Sequence, residues 1–157
     1  MPHLRDATLS DLPGIAAAVA SQPLMHRYGV TAPALQNNLS KALARGDDLI
    51  VAASDAGEQS LIGMAWFLRS GTFALGGYLR LIAVFPGNEG AGIGGLLLDE
   101  VERRTATESR FLFLLASRHN EDSRRFYQRR GYTEAGELKA LLKPDLDEII
   151  LWRRLSI

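Results

Sequence analysis

The sequence predicts an α/β fold: one domain, residues 1–157, with a mixed central β-sheet flanked by helices in the order βααβββαβαββ. Three observations carry this. Short apolar runs alternate with amphipathic stretches from one end of the chain to the other. The length of 157 residues, 46% hydrophobic and 23% charged, suits an ordinary globular domain able to bury a core without disulfides or metals. A glycine-rich turn at 89–95 opens directly into an apolar helical pattern.

In chain order, residues 3–7 form a short first strand. Residues 10–20 read as a helix with Leu12, Ile15, Ala16 and Val19 on one face. Pro, Gly and mixed polarity make 21–32 a loop, and 33–45 a second helix closed by Gly46. The apolar run 49–53, a turn at 55–58 and the returning run 61–68 give a hairpin. Residues 71–77 read as a connection and 78–84 as the strand that leads into the glycine turn. A helix over 92–106 keeps Ile93, Leu96, Leu97 and Val101 at core spacing. The continuously apolar 111–116 predicts a strand buried on both faces. A helix over 121–130 ends at Gly131, and strands at 132–138 and 148–155 flank a loop containing Lys143-Pro144-Asp145.

Composition excludes several classes. Net charge is zero, so no global field draws the chain to nucleic acid or an anionic membrane. With no cysteine there is no disulfide, thiolate metal site or cysteine nucleophile. His3, His26 and His119 lack zinc spacing, so no metal is expected. The chain's start lacks signal-peptide regions and no apolar run approaches membrane-spanning length, so a cytoplasmic protein is expected.

Residues 89–95 hold Gly90, Gly92, Gly94 and Gly95. A glycine turn feeding a helix start aims backbone N–H groups and the positive end of the helix dipole at one spot, which suits a phosphate or pyrophosphate. The run satisfies G-x-G-x-x-G, the dinucleotide fingerprint. Its context does not: residues 85–89 separate the strand from the first glycine, and 62 residues after Gly95 are too few for the rest of a doubly wound nucleotide domain. No Lys-Ser or Lys-Thr follows, as a kinase-type phosphate loop requires. A purely structural turn remains as the plain alternative.

Downstream, Asn120-x-x-Ser123-x-x-Phe126-Tyr127-x-x-x-Gly131-Tyr132 resembles the second signature of the GNAT superfamily of acyl-CoA-dependent N-acetyltransferases. Glu89-x-x-Gly92-x-Gly94 resembles its first, with Leu81-Ile82-Ala83-Val84-x-Pro86 before it and Gly94-Gly95-Leu96-Leu97 after it. The likeness is sharp over 78–132 and elsewhere rests on element order. It implies that Glu89, Gly90, Ala91, Gly92, Ile93 and Gly94 cradle the pyrophosphate of acetyl-CoA. Ile82, Ala83 and Val84 would pair with the pantetheine arm through their backbone, and the strand 111–116 would splay away to admit it. Asn120 and Ser123 would lie near the arm, although Asn120 is also a good N-cap. Tyr127 matches the family's general acid, assisting the departing CoA thiolate.

One position departs from the pattern. The first signature residue, usually Gln or Arg, is Glu89, whose carboxylate would repel a pyrophosphate unless turned away or paired. Arg124, Arg125, Arg129 and Arg130 form a basic helix face, read as solvated or as a grip on the CoA phosphates. The resemblance places the acceptor pocket near Met25, His26 and Tyr28. The implied reaction is acetyl transfer to a primary amine of a small molecule or peptide, by direct attack, since no cysteine can carry the acyl group. Glu121, Asp122, His119, His26 or a water chain remain open as the base. The competing class is a non-catalytic acyl-CoA-binding module or sensor. Family members are often dimers; no nucleic-acid or membrane partner is expected.

Overall fold

The computed structural model describes residues 1–156. Seven strands form one mixed sheet in the order β1-β2-β3-β4-β5-β7-β6. They are β1 (His3–Asp6), β2 (Asp48–Ala53), β3 (Leu61–Thr72), β4 (Gly76–Val84), β5 (Phe111–Ser117), β6 (Thr133–Lys143) and β7 (Leu146–Arg154). The helices are α1 (Leu12–Ala20), α2 (Pro23–Arg27), α3 (Ala32–Ala44), α4 (Ile93–Thr105) and α5 (Glu121–Arg129). β4 and β5 are parallel, whereas β1–β2, β2–β3, β5–β7 and β6–β7 are antiparallel. No described helix is long and apolar enough to cross a membrane.

The chain divides into two compact units, Met1–Phe67 with Leu81–Val101, and Leu68–Arg80 with the chain from Glu102 onward. In the first unit, Leu12, Ile15, Ala16 and Val19 of α1 meet Leu35, Leu39 and Ala42 of α3 over Val51, Met64, Trp66 and Ala83 of the sheet. The helical periodicity read from the sequence is therefore the buried stripe. A single 3₁₀ turn (Leu9–Asp11) precedes α1. There Asp11 accepts from the Thr8 N–H at 2.8 Å and from both terminal nitrogens of Arg5 at 2.8 and 3.0 Å. α3 ends as expected at Gly46, whose φ of +90° is open to glycine. Segment 21–32, expected to be a loop, holds α2 instead. Gln22 is extended, Pro23 supplies a preset helical φ at the first position, and the turn stops at Gly29.

The second unit corrects three readings. Residues 71–77 are mostly strand, with β3 running to Thr72 and β4 starting at Gly76 around a tight turn at 73–75. Gly76 and Gly77 serve packing: a Cβ on either would meet a backbone oxygen, Phe111 O or Leu68 O, at 2.6 Å. β5 is not buried on both faces; Leu112, Leu114 and Ala116 are buried while Phe111, Phe113 and Leu115 are half-buried. β6 and β7 are longer than expected and only Pro144 and Asp145 separate them. β6, the edge strand, carries register shifts after Glu134 and Leu138, which disrupt the flat edge that other strands could pair with.

Candidate active site

The first unit presents the glycine loop. Ala83 is buried between half-buried Ile82 and Val84. The Val84 carbonyl accepts from Gln22 Nε2 at 3.1 Å, and the Phe85 N–H donates to Ile62 O at 2.9 Å, fixing where β4 ends. The chain turns at once, with the Asn88 N–H donating to Phe85 O at 3.1 Å. Gly90 and Gly92 then take φ of +78° and +79°. A Cβ on either would stand in open space, so conformation rather than packing demands glycine there and the backbone is left bare. The Gly92 carbonyl accepts from the Leu96 N–H at 3.1 Å, which makes Gly92 the cap position of α4. Gly92 itself offers no side chain to the first-turn donors, and a helix start suits an anion. Ile93 is buried and anchors the turn, with Leu97, Leu98 and Val101 behind it. Ala91 is exposed and Gly94 half-buried.

Glu89 answers part of the question its presence raised. Its carboxylate is exposed and folds back on the loop, accepting from the Gly87 N–H at 2.9 Å. The negative charge is thus held at the loop by the loop's own backbone.

The second unit presents α5. Asn120 Oδ1 accepts from the Ser123 N–H at 3.2 Å, so the N-cap reading of Asn120 holds, and Ser123 is half-buried just inside the helix. Tyr127 is 6% exposed. It stacks on Phe126 at 5.2 Å and meets the edge of Tyr132 at 5.5 Å. Tyr132 is itself fixed, its hydroxyl donating to Glu102 Oε2 at 2.9 Å while Arg153 donates to the same carboxylate at 2.8 Å. Burial pushes the Tyr127 hydroxyl well above the usual tyrosine range, so it remains a proton-bearing donor across all ordinary working pH.

The basic face of α5 is largely paired within its own unit. Arg124 donates to both oxygens of Glu134 at 2.8 and 3.1 Å, Arg125 pairs with Asp122 at 2.7 Å, and Arg130 lies over the Phe126 ring at 5.7 Å. Arg129 is exposed. Asp122 and Glu121 face solvent beside Arg125, and His119 is exposed. In the first unit, His26 lies exposed on α2, with Met25 and Tyr28 half-buried. Among the described residues no cluster of three or more metal-ligating side chains occurs.

The residues named from the sequence thus gather in two sets, 82–94 in one unit and 120–127 in the other. The parallel ladder of β4 with β5 has four pairs and ends at Leu79↔Leu114, although β5 stays paired with β7 through Ser117. Three polar groups near that point escaped the sequence reading: Tyr78, Ser117 and Glu148. Glu148 sits beside an apolar run, a local signal, but its nearness to Ser117 is set by strand register and is not readable locally.

The profile of the acetyltransferase (GNAT) family matches residues 18–132, and the chain belongs to that family of acyl-CoA-dependent N-acetyltransferases. Among solved structures, the chain is similar to a GNAT-family acetyltransferase from Bacillus cereus, at 17% identity and TM-score 0.80 over 100% of this chain and 99% of that one. It is similar to a ribosomal-protein-alanine N-acetyltransferase from Brucella melitensis, at 22% identity and TM-score 0.76 over 98% and 99%. A phosphinothricin acetyltransferase from Sinorhizobium meliloti, solved in complex with AcCoA, shares 24% identity and a TM-score of 0.77 over 99% and 89%. No curated protein sequence matches the chain.

Proposed function

We propose that the chain moves an acetyl group from acetyl-CoA directly to a primary amine of a small molecule or peptide. The observation that carries this is the bare backbone of Gly90 and Gly92 at the start of α4. Open space at both glycines fits a pyrophosphate, and Gly90 to Gly94 would hold it through N–H groups. Ile82, Ala83 and Val84 would run beside the pantetheine arm, and a backbone N–H near Val84 would polarise the thioester carbonyl. The Val84 carbonyl accepts from Gln22 Nε2, which ties the end of the strand to the start of α2. The Asn120 side-chain NH2 would serve the arm while its oxygen caps α5. Acetyl-CoA supplies the activated acyl group.

Tyr127 assists the leaving sulfur. Its raised affinity for the proton favours a hydrogen bond that strengthens as charge grows on sulfur over complete transfer. With no cysteine in the chain, direct attack by the amine is favoured over an acyl-enzyme. The second reading, a non-catalytic acyl-CoA-binding module, draws on Glu89, which ties up a loop donor in Gly87. The deciding experiment is acetyl-CoA binding by calorimetry followed by thiol release across a panel of amines. Binding with turnover supports transfer, binding without turnover on any amine supports the module, and no binding overturns both.

A further inference from the structure

Glu148 and Asp11 are the acidic residues buried among those described, at 4% and 5% exposure. Asp11 is accounted for by Arg5 and Thr8. Glu148 stands directly opposite Ser117 in the antiparallel ladder of β5 with β7. Opposed residues project from the same face of a sheet. The Ser117 hydroxyl, 3% exposed, has no hydrogen-bond partner. A buried hydroxyl left unmade costs about 1–3 kcal/mol, so its presence needs a reason.

The surroundings are those of a ligand end-point. Two residues on, the same face carries Leu115 opposite Ile150, and then Phe113 opposite Trp152. Tyr78 stands opposite Phe113 on the other side. These side chains are half-buried, in contrast to the fully buried Leu112, Leu114 and Leu151 of the opposite face. Tyr78 is held above its usual pKa chiefly by burial, with the Arg80 charge opposing and the Glu148 charge adding, so the three groups share one electrostatic environment. Ser117 lies beyond the last β4–β5 pair, on the stretch of β5 still held by β7.

We infer that Glu148 and Ser117 receive the ammonium group of the acceptor, and that the acceptor is a primary amine with an apolar body lying along Leu115–Ile150 and Phe113–Trp152. This rests on the acetyltransferase reading for its place in a reaction, but not for the binding itself. An ammonium has three donors and no acceptor, so a carboxylate and a hydroxyl lone pair are both complements to it. Glu148 already holds a contact of its own, and the ammonium adds to it while giving Ser117 the partner it lacks. Weak solvent screening at a buried pair strengthens the attraction. At about 3.3 Å per residue the first apolar row lies roughly 7 Å from Glu148 and the second roughly 13 Å, the reach of an arylalkyl chain.

The test compares 2-phenylethylamine with its neutral counterpart 2-phenylethanol by calorimetry on the full chain. Wild type is expected to prefer the amine by about tenfold or more, the scale of a charge-assisted contact. Glu148→Gln is expected to erase that preference while leaving acetyl-CoA affinity unchanged, and Ser117→Ala to weaken the amine several-fold. An unchanged preference in Glu148→Gln, or none in wild type, overturns the inference. Should Glu148→Gln fail to fold, Ser117→Ala decides, and amine affinity equal to wild type counts against it. Loss of acetyl-CoA binding in wild type would sink the acetyltransferase reading instead, and the amine titration would still be read on its own terms.

Discussion

Tyr127 and Asp11 show what burial does to an ionisable side chain with and without a partner. Tyr127 has aromatic neighbours and no charge to stabilise a phenolate, so its proton is held tightly. Tyr127→Phe keeps those ring contacts and removes the donor. It should lower kcat by about 10- to 100-fold, the range for one hydrogen bond to a charged group, with acetyl-CoA affinity unchanged by calorimetry. Unaltered kcat at saturating substrates would remove Tyr127 from the chemistry. Asp11 is the opposite case: hydrogen bonds from Arg5 hold its carboxyl at about 2. A carboxylate whose pKa is depressed by folding stabilises the fold above its unfolded value, near 3.8, and that contribution fades as pH falls through about 2. Asp11→Asn should therefore cost about 2 kcal/mol at pH 7 in denaturant unfolding. Its gap from wild type should close between about pH 4 and pH 2.

Among the elements, the loop before α4 and the cap of α5 are the parts that a ligand reading depends on most. Gly92→Ala would force a Cβ residue to φ +79°, a strain of about 1–2 kcal/mol. Since nothing crowds that Cβ, the expected outcome is a modest fall in melting temperature with a larger loss of CoA affinity by calorimetry. Glu89 stays bonded to the Gly87 N–H, so its charge remains at the loop. Glu89→Gln should tighten CoA a few-fold at low salt, an advantage that fades at high salt because the site is exposed. Equal affinities at low salt would show that the carboxylate does not bear on the phosphates.

How far the elements could be read from the sequence follows the range of the physics involved. The stripe Leu12, Ile15, Ala16, Val19 is a local period, and so was legible. Gly76 and Gly77 were misread because glycine marks turns and close packing alike, and only Phe111 O and Leu68 O, far along the chain, separate the two. α2 was missed because a five-residue helix has almost no periodicity to show. The glycine loop and Asn120–Tyr127 were legible as motifs. Ser117 and Glu148 were not, because their meeting depends on strand register between residues 31 positions apart in the chain, 117 and 148.

At the scale of the whole molecule, the residues proposed for acetyl-CoA are drawn from both compact units. Saturating acetyl-CoA at about 100 times its dissociation constant should stabilise the native state by about 2.7 kcal/mol, seen as a rise in melting temperature. Hydrogen exchange should slow both in residues 87–94 and at the start of α5. Protection confined to the loop would mean that Asn120 and Tyr127 play no part in holding the cofactor.

The two tryptophans are divided between the units, Trp66 in one and Trp152 in the other. They also differ in surroundings: the Trp66 ring nitrogen donates to Asp47 at 2.9 Å, whereas Trp152 rests against Phe111 at 5.8 Å. Replacing either by phenylalanine leaves a single tryptophan, so the tryptophan emission of each variant, excited selectively over the four tyrosines, follows one half of the chain during denaturation. β3, β4 and α4 each contribute residues to both halves, so the two curves should coincide. Two separate midpoints would reveal that one half melts while the other still glows with its native spectrum.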